Sequence, residues 1–262
     1  MEYQDIIYEV EEGIAIITIN RPERHNAFRS RTLDELVGAF EEAEDDPGIG
    51  VVILTGAGDR AFCAGGDISE MGSLNPGVGR KFLGKCLKLS ETMRNLSKPI
   101  IAAVNGYCLG GGNEINLFCD LTIAADNAVF GQTGPSVGSA PIWGGTQLLP
   151  RTVGEKKARE MVFLCQRYSA EEAVEMGLAN KVVPKEKLME EAISWARRIL
   201  EMSPQSIKLT RTSMNFASDL LHPSFTHGRE MLALVYGSEE LTEGMKSFEE
   251  KRKPDFKKFR KE

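Results

Sequence analysis

Three histidines, His25, His222 and His227, are all that 262 residues offer, and none stands at zinc-ligand spacing from a paired acid, so the sequence gives a metal site no basis. Cysteine is scarce and unpatterned. Cys63, Cys86, Cys108, Cys119 and Cys165 form neither a CxxC pair nor a disulfide framework, which leaves reduced, buried thiols as the expectation. No apolar run approaches the ~20 residues that cross a bilayer, and no basic-then-apolar leader precedes Tyr3, so a cytoplasmic protein without a membrane partner is expected. Basic residues are the minority, and a formal charge of −6 argues against broad binding to nucleic acid or anionic lipid.

What is present is the composition of a soluble globular chain, 42% hydrophobic and 27% charged, long enough for one large domain or a domain with an appendage. Ile6 to Val10 and Ile14 to Ile19 are β-rich apolar runs around Glu11-Glu12-Gly13, the pattern of a hairpin. A helix carrying Leu33, Leu36, Val37 and Phe40 follows, with Ser30 or Thr32 as candidate cap, then a buried strand from Val51 to Thr55. Gly72 to Gly79 reads as a mobile loop and Lys81 to Leu96 as a helix. Beyond the central stretch, Glu155 to Leu164 and Ala170 to Met176 have a helical period, the second opening on the capping box of Ser169 and Glu172. Val182 to Pro184 is a short edge or connector. From Glu186 onward the pattern is helical throughout: Leu188 to Met202, Gln205 to Ala217, Phe225 to Tyr236 and Thr242 to Lys251. Strands alternate with helices early and helices dominate late, an α/β core with an α-helical C-terminal part.

The chemistry concentrates between Lys98 and Gly145. Ile100 to Val104 ends in Asn105-Gly106, and Gly110, Gly111 and Gly112 lead into Asn113-Glu114 and an apolar segment: strand, glycine turn, buried helix. The first amides of a helix have no internal partner and can hold an oxyanion. Glu114, in the first turn, would place a carboxylate beside whatever those amides bind. The same pieces also describe an ordinary turn followed by a dipole-stabilising surface acid.

The run IAAVNGYCLGGGNE, with CDLTIAADNAVFGQ and GGTQLLPRTVG after it, resembles the crotonase (enoyl-CoA hydratase/isomerase) superfamily. The resemblance extends from INRPERHNAF through DRAFCAGGDISEM to FEEKRKPDF, nearly the whole chain. It implies a spiral of ββα turns over residues 1–200 and a helical region, 201–262, used for trimer assembly, with a homotrimer or dimer of trimers as the expected state. It also implies an acyl-CoA substrate, no cofactor beyond the coenzyme A of that substrate, and an oxyanion hole from the amides of Gly66 and Gly111. Ala64, Asp67 and Ile68 of the first glycine loop, and Trp143, fall among its substrate contacts. Phe248 and Lys251, in a basic tail that otherwise reads as a solvated face, match residues near the nucleotide end of coenzyme A; Arg24 matches a region lining the same pocket.

Glu114 matches the first of the two catalytic glutamates of enoyl-CoA hydratases, but the second position, two residues past Gln132, holds Gly134. GQTGPSVGS is instead the pattern of dihydroxynaphthoyl-CoA synthases and ketocyclohexane-carboxyl-CoA hydrolases. In those synthases Gln132 and Gly134 would cradle a bicarbonate, with Ser139 and Tyr236 beside the ring; Thr133 between them falls among the substrate contacts. Those relatives carry an apolar residue where Glu114 stands, an aspartate where Pro141 stands, and a tryptophan at Val162. A hydratase's first acid in a ring-handling pocket leads to the expectation of a lyase that adds water to an unsaturated cyclic acyl-CoA, with cyclohexadiene-carboxyl-CoA as the specific candidate and aromatic degradation as its setting. Ring closure, or C–C hydrolysis of a cyclic ketoacyl-CoA, is the alternative.

Three other patterns carry less. Gly56, Gly58 and Ala61 have the spacing of a dinucleotide-binding turn, but no helix opens within them. Gly134 to Gly138 is formally G-x-S-x-G, with Asp219 and His222 following in hydrolase order, yet Gly138 and Pro141 oppose the helix that a nucleophile elbow requires. A non-catalytic protein binding RNA or acyl-CoA would need a basic face with stacking aromatics, which the negative total opposes.

Overall fold

The apolar β-branched runs assemble into a six-stranded sheet whose central strands, Val51–Gly56 and Ile100–Val104, are buried throughout, which is why those two read as continuous rather than alternating. The computed structural model describes residues 3–260. The outer ends of the two regions expected from the sequence, residues 1–2 and 261–262, including Lys261 of the basic tail, lie outside the described residues.

β1 (Ile6–Glu11) and β2 (Ile14–Ile19) form the expected antiparallel hairpin. α1 (Ser30–Asp45) buries Leu33, Leu36 and Phe40, but its cap is Arg29, not Ser30 or Thr32; the Thr32 hydroxyl instead accepts a hydrogen bond from the Arg29 amide. β3 (Val51–Gly56) and β4 (Ala61–Cys63) follow, then the single turn α2 (Ile68–Met71) and α3 (Pro76–Asn95). The loop expected over Gly72 to Gly79 is therefore only half loop. Asn75 caps α3 through its side-chain oxygen, 3.0 Å from the Val78 amide, and Pro76 suits the first helical position, where its missing N–H is no loss.

β5 (Ile100–Val104), β6 (Tyr107–Leu109) and α4 (Gly111–Phe118) come next, then β7 (Leu121–Ala125) and β8 (Val129–Gly131). A 3-10 turn (Gly134–Val137) precedes α5 (Leu149–Val153), α6 (Glu155–Phe163), β9 (Arg167–Ser169), α7 (Ala170–Glu175) and β10 (Lys181–Val183). The Ser169 and Glu172 capping box forms as expected at the start of α7. The chain ends in α8 (Leu188–Leu200), α9 (Pro204–Asp219), α10 (His222–Ala233) and α11 (Glu239–Glu249). No helix among the described residues is long and apolar enough to cross a membrane.

The large sheet has the order β1-β2-β3-β5-β7-β10, and a smaller one runs β4-β6-β8-β9. Each of β3, β5 and β7 hands the chain on to a strand of the small sheet, β4, β6 and β8, before the chain returns. The mixed α/β fold is thus a spiral of strand–strand–helix turns. Cys63 of β4 pairs with Cys108 of β6, and Cys108 with Phe130 of β8. Consequently Gly66, Gly111 and Thr133, each three residues past a paired position, leave the small sheet at one end. α8 covers one face of the large sheet, with Leu188, Ala192 and Ala196 against Ile53, Ile101 and Ile123. α1, α3 and α4 share the core on the other face.

α10 packs along α3, and α11 lies on the 3-10 turn. A Cβ on Gly244 of α11 would overlap the Val137 carbonyl, so only glycine permits that approach. Arg211, buried in α9, ties that helix to the end of α3: it donates to Asp120 at 2.8 Å and to the carbonyls of Met93 at 2.7 Å, Arg94 at 3.0 Å and Leu96.

Candidate active site

The two glycine loops meet at the end of the small sheet. The Phe28 amide donates to the Gly65 carbonyl at 2.9 Å and the Asp67 amide to the Phe28 carbonyl at 2.7 Å, a parallel bridge that passes over the Gly66 amide between them. Gly111 opens α4, whose ladder begins with the Glu114 amide donating to Gly110 at 3.0 Å, so the Gly111 amide precedes the ladder. The loops touch. A Cβ built on Gly65, whose φ is +104°, would stand 3.3 Å from the Gly111 nitrogen, and one on Gly111 would stand 2.6 Å from the Phe28 ring.

Both glycines line a cavity of about 480 Å³ that also receives Glu114. Only 6% of Glu114 is exposed. Its Oε1 accepts from the amides of Trp143 at 2.9 Å and Gly145 at 3.0 Å, while Oε2 takes part in no hydrogen bond among the described residues. Desolvation pushes its carboxyl up from 4.5 to about 7, against the pull of the two amides in the other direction. An acid that titrates near neutrality can both take and return a proton.

Of the residues singled out from the sequence, Ala64, Gly66, Ile68, Gly111, Glu114, Gln132, Thr133, Gly134, Ser139, Trp143, Tyr236 and Phe248 line this one cavity. Arg24, Asp67 and Lys251 do not. Asp67 pairs with Arg21 at 2.8 Å and accepts from the Ser69 amide at 3.0 Å, capping α2, so it shapes the glycine loop from behind. Arg24 borders a separate surface depression with Arg21, Arg29 and Arg31. Lys251 is exposed just beyond α11. The G-x-S-x-G reading fails on position: Ser136 donates to the Thr133 carbonyl at 2.7 Å, whereas Asp219 is engaged by Arg94.

One wall of the cavity is aromatic. Phe28 stacks on Phe82 with centroids 6.2 Å apart, Trp143 meets Phe28 edge-on at 5.8 Å, and Tyr236 meets Phe82 edge-on at 6.4 Å. Sequence reasoning missed Phe28, Phe82 and Cys86, because apolar residues at helical or strand spacing read as core whether they face a cavity or another side chain. It also missed Arg167 and His25, which lie at the rim with Tyr107. The five cysteines are free, and burial pushes the thiols of Cys63, Cys86, Cys108 and Cys119 up, away from reactive thiolate.

A sequence profile described as enoyl-CoA hydratase/isomerase matches residues 9–260. The chain belongs to the enoyl-CoA hydratase/isomerase family. Solved structures agree with that membership. An enoyl-CoA hydratase/isomerase from Xanthobacter autotrophicus Py2 is similar at 33% identity and a TM-score of 0.87, over 95% of this chain and 94% of that one. A carnitinyl-CoA hydratase from Mycobacterium avium reaches 32% and 0.85, over 98% and 100%. An enoyl-CoA hydratase from Mycobacterium avium subsp. paratuberculosis K-10 reaches 26% and 0.89, over 97% and 99%. Activity of the enoyl-CoA hydratase/isomerase type on acyl-CoA follows from that membership.

Proposed function

We propose that the chain is a lyase that adds water across a conjugated double bond of a cyclic acyl-CoA thioester, with cyclohexadiene-carboxyl-CoA as the specific substrate. The observation that carries the reading is the single buried acid, Glu114, titrating near 7 in the cavity that holds the Gly66 and Gly111 amides. The thioester carbonyl accepts from those two amides. Water held by Glu114 Oε2 attacks the electrophilic alkene carbon; as the C–O bond forms, its proton passes to Glu114 and the alkene electrons move through the conjugated system to the carbonyl oxygen. The two amides hold this enolate; a donor of that kind is worth ~3–4 kcal/mol in the transition state. Glu114 then returns the proton to carbon, and the sum is addition of H and OH. With Gly134 in the second glutamate's place, one acid performs both transfers.

The aromatic walls of Phe28, Phe82, Trp143 and Tyr236 support a flat ring as the acyl group. The buried amide of Gln132 offers a bicarbonate ion some polar contact, but Glu114 lines the same cavity, and a second negative charge beside a buried carboxylate is unfavourable. The mechanism runs without bicarbonate. Exposed Leu209 and Phe216 of α9, with Leu220 at its C-terminal cap, share one stripe opposite the buried Arg211, which supports self-association such as the expected trimer or dimer of trimers.

Incubation with linear enoyl-, cyclic dienoyl- and succinylbenzoyl-CoA thioesters, with and without bicarbonate and with products read by mass, tests this function. A water adduct of the cyclic dienoyl thioester is expected. Ring closure of the succinylbenzoyl thioester, dependent on bicarbonate, would replace hydration with the synthase reaction.

A further inference from the structure

Six buried polar side-chain atoms among the described residues have no hydrogen-bond partner, and three of them belong to two residues lining this cavity: Oε1 and Nε2 of Gln132 and Nε1 of Trp143. Buried polar groups are ordinarily paired, so orphans gathered at one cavity mark the place where a ligand completes them. Gln132 is fully buried and Trp143 nearly so. Gly145 connects Gln132 to the acid: its amide donates to Glu114 Oε1 at 3.0 Å, and a Cβ built on it would stand 3.2 Å from Gln132 Nε2. An amide that can donate and accept therefore flanks the same residue as the carboxylate.

We propose that Gln132 and Trp143 form an oxygen subsite that binds the hydroxyl of a hydroxyacyl-CoA, the oxygen that hydration installs. The inference rests on the hydration reading and deepens it. A hydroxyl donates once and accepts from the other side, which matches the Gln132 amide oxygen together with its N–H or the indole N–H. A hydrocarbon ring leaves all three atoms unmet, at a cost of roughly tenfold in affinity for each buried group. Gln132 thereby holds the transferred oxygen, a task that needs no second acid.

The test is calorimetric titration of cyclohexanecarboxyl-CoA and its β-hydroxy derivative into Glu114→Gln protein, which leaves the ligands unconverted. The hydroxylated ligand is expected to bind at least tenfold more tightly. Adding Gln132→Met should erase that preference while affinity for the unsubstituted ring holds or rises, which also reports that the variant is folded; adding Trp143→Phe should reduce it. Equal binding of the two ligands, or a preference that survives both substitutions, overturns the subsite. So does loss of the preference on adding bicarbonate alone, which would assign the amide to that anion. Because no turnover is read, a preference found alongside a failed substrate panel would refute hydration and leave the subsite standing.

Discussion

Replacing Glu114 by glutamine should trade activity for stability, and the trade should depend on pH. In the folded chain the carboxyl titrates near 7, whereas the ordinary value is 4.5. Between those values the folded protein holds a proton that the unfolded chain has released, so stability is fully present below about 4.5 and declines as pH rises through 7. The difference corresponds to ~3 kcal/mol lost by pH 8, at 1.36 kcal/mol for each pKa unit. Glutamine keeps an oxygen for the Trp143 and Gly145 amides and carries no charge to desolvate. At pH 8 the variant should melt about 6–12 °C above the parent, given ~2–4 °C per kcal/mol for a chain of this size, and the gap should close toward pH 5. Turnover should fall by roughly 10²–10⁴-fold, the usual worth of a general base. For the parent, kcat/KM for hydration should climb with pH and level off above about 7 as the carboxylate forms. Scanning calorimetry across pH beside a hydration assay reads all of this. Unchanged turnover, or a melting difference that ignores pH, would refute the role and the burial argument respectively.

A Cβ on Gly112 would overlap the Cys63 carbonyl. Gly112→Ala should therefore push the two amide-bearing loops apart, lowering kcat more than it raises KM, and parental kcat would contradict the geometry. Arg211→Met strips a donor from the Met93 and Leu96 carbonyls, while Asp120 keeps the Ile100 amide and the Arg94 carbonyl keeps Asn215. It should cost ~1–3 kcal/mol for each buried carbonyl left unpaired, seen as a lower denaturant midpoint; a midpoint within error of the parent's would show that the cluster is not a structural tie. Phe216→Glu with Leu220→Glu places charge on the exposed stripe of α9 and should reduce the mass measured by light scattering to that of one chain. An unchanged mass above one chain would move the interface elsewhere.

The long elements were legible because burial stamps a period on them. The hairpin, the Val51 and Ile100 strands, and the helices from α6 onward each repeat a pattern over enough residues to be read. The small sheet was not: β4, β6, β8 and β9 have three residues each, too few to show alternation, and the spiral that β4, β6 and β8 complete was invisible as a repeat. Gly72 to Gly79 misled because three glycines and a proline outweighed the Asn75 cap and the proline's fitness for a first helical turn.

The sequence by itself determined the chemistry in kind: glycines before a helix that leave amides unspent, one acid in its first turn, and a glycine where a second acid would stand. Those are local facts of covalent structure and helix geometry. Only tertiary structure decided that Gly66 and Gly111 leave adjacent strands side by side, that burial of Glu114 lifts its titration toward neutrality against the pull of the Trp143 and Gly145 amides, and that Gln132 is left without a partner beside it. Proximity and desolvation depend on what the rest of the chain packs around a residue, and no stretch of sequence carries that about itself.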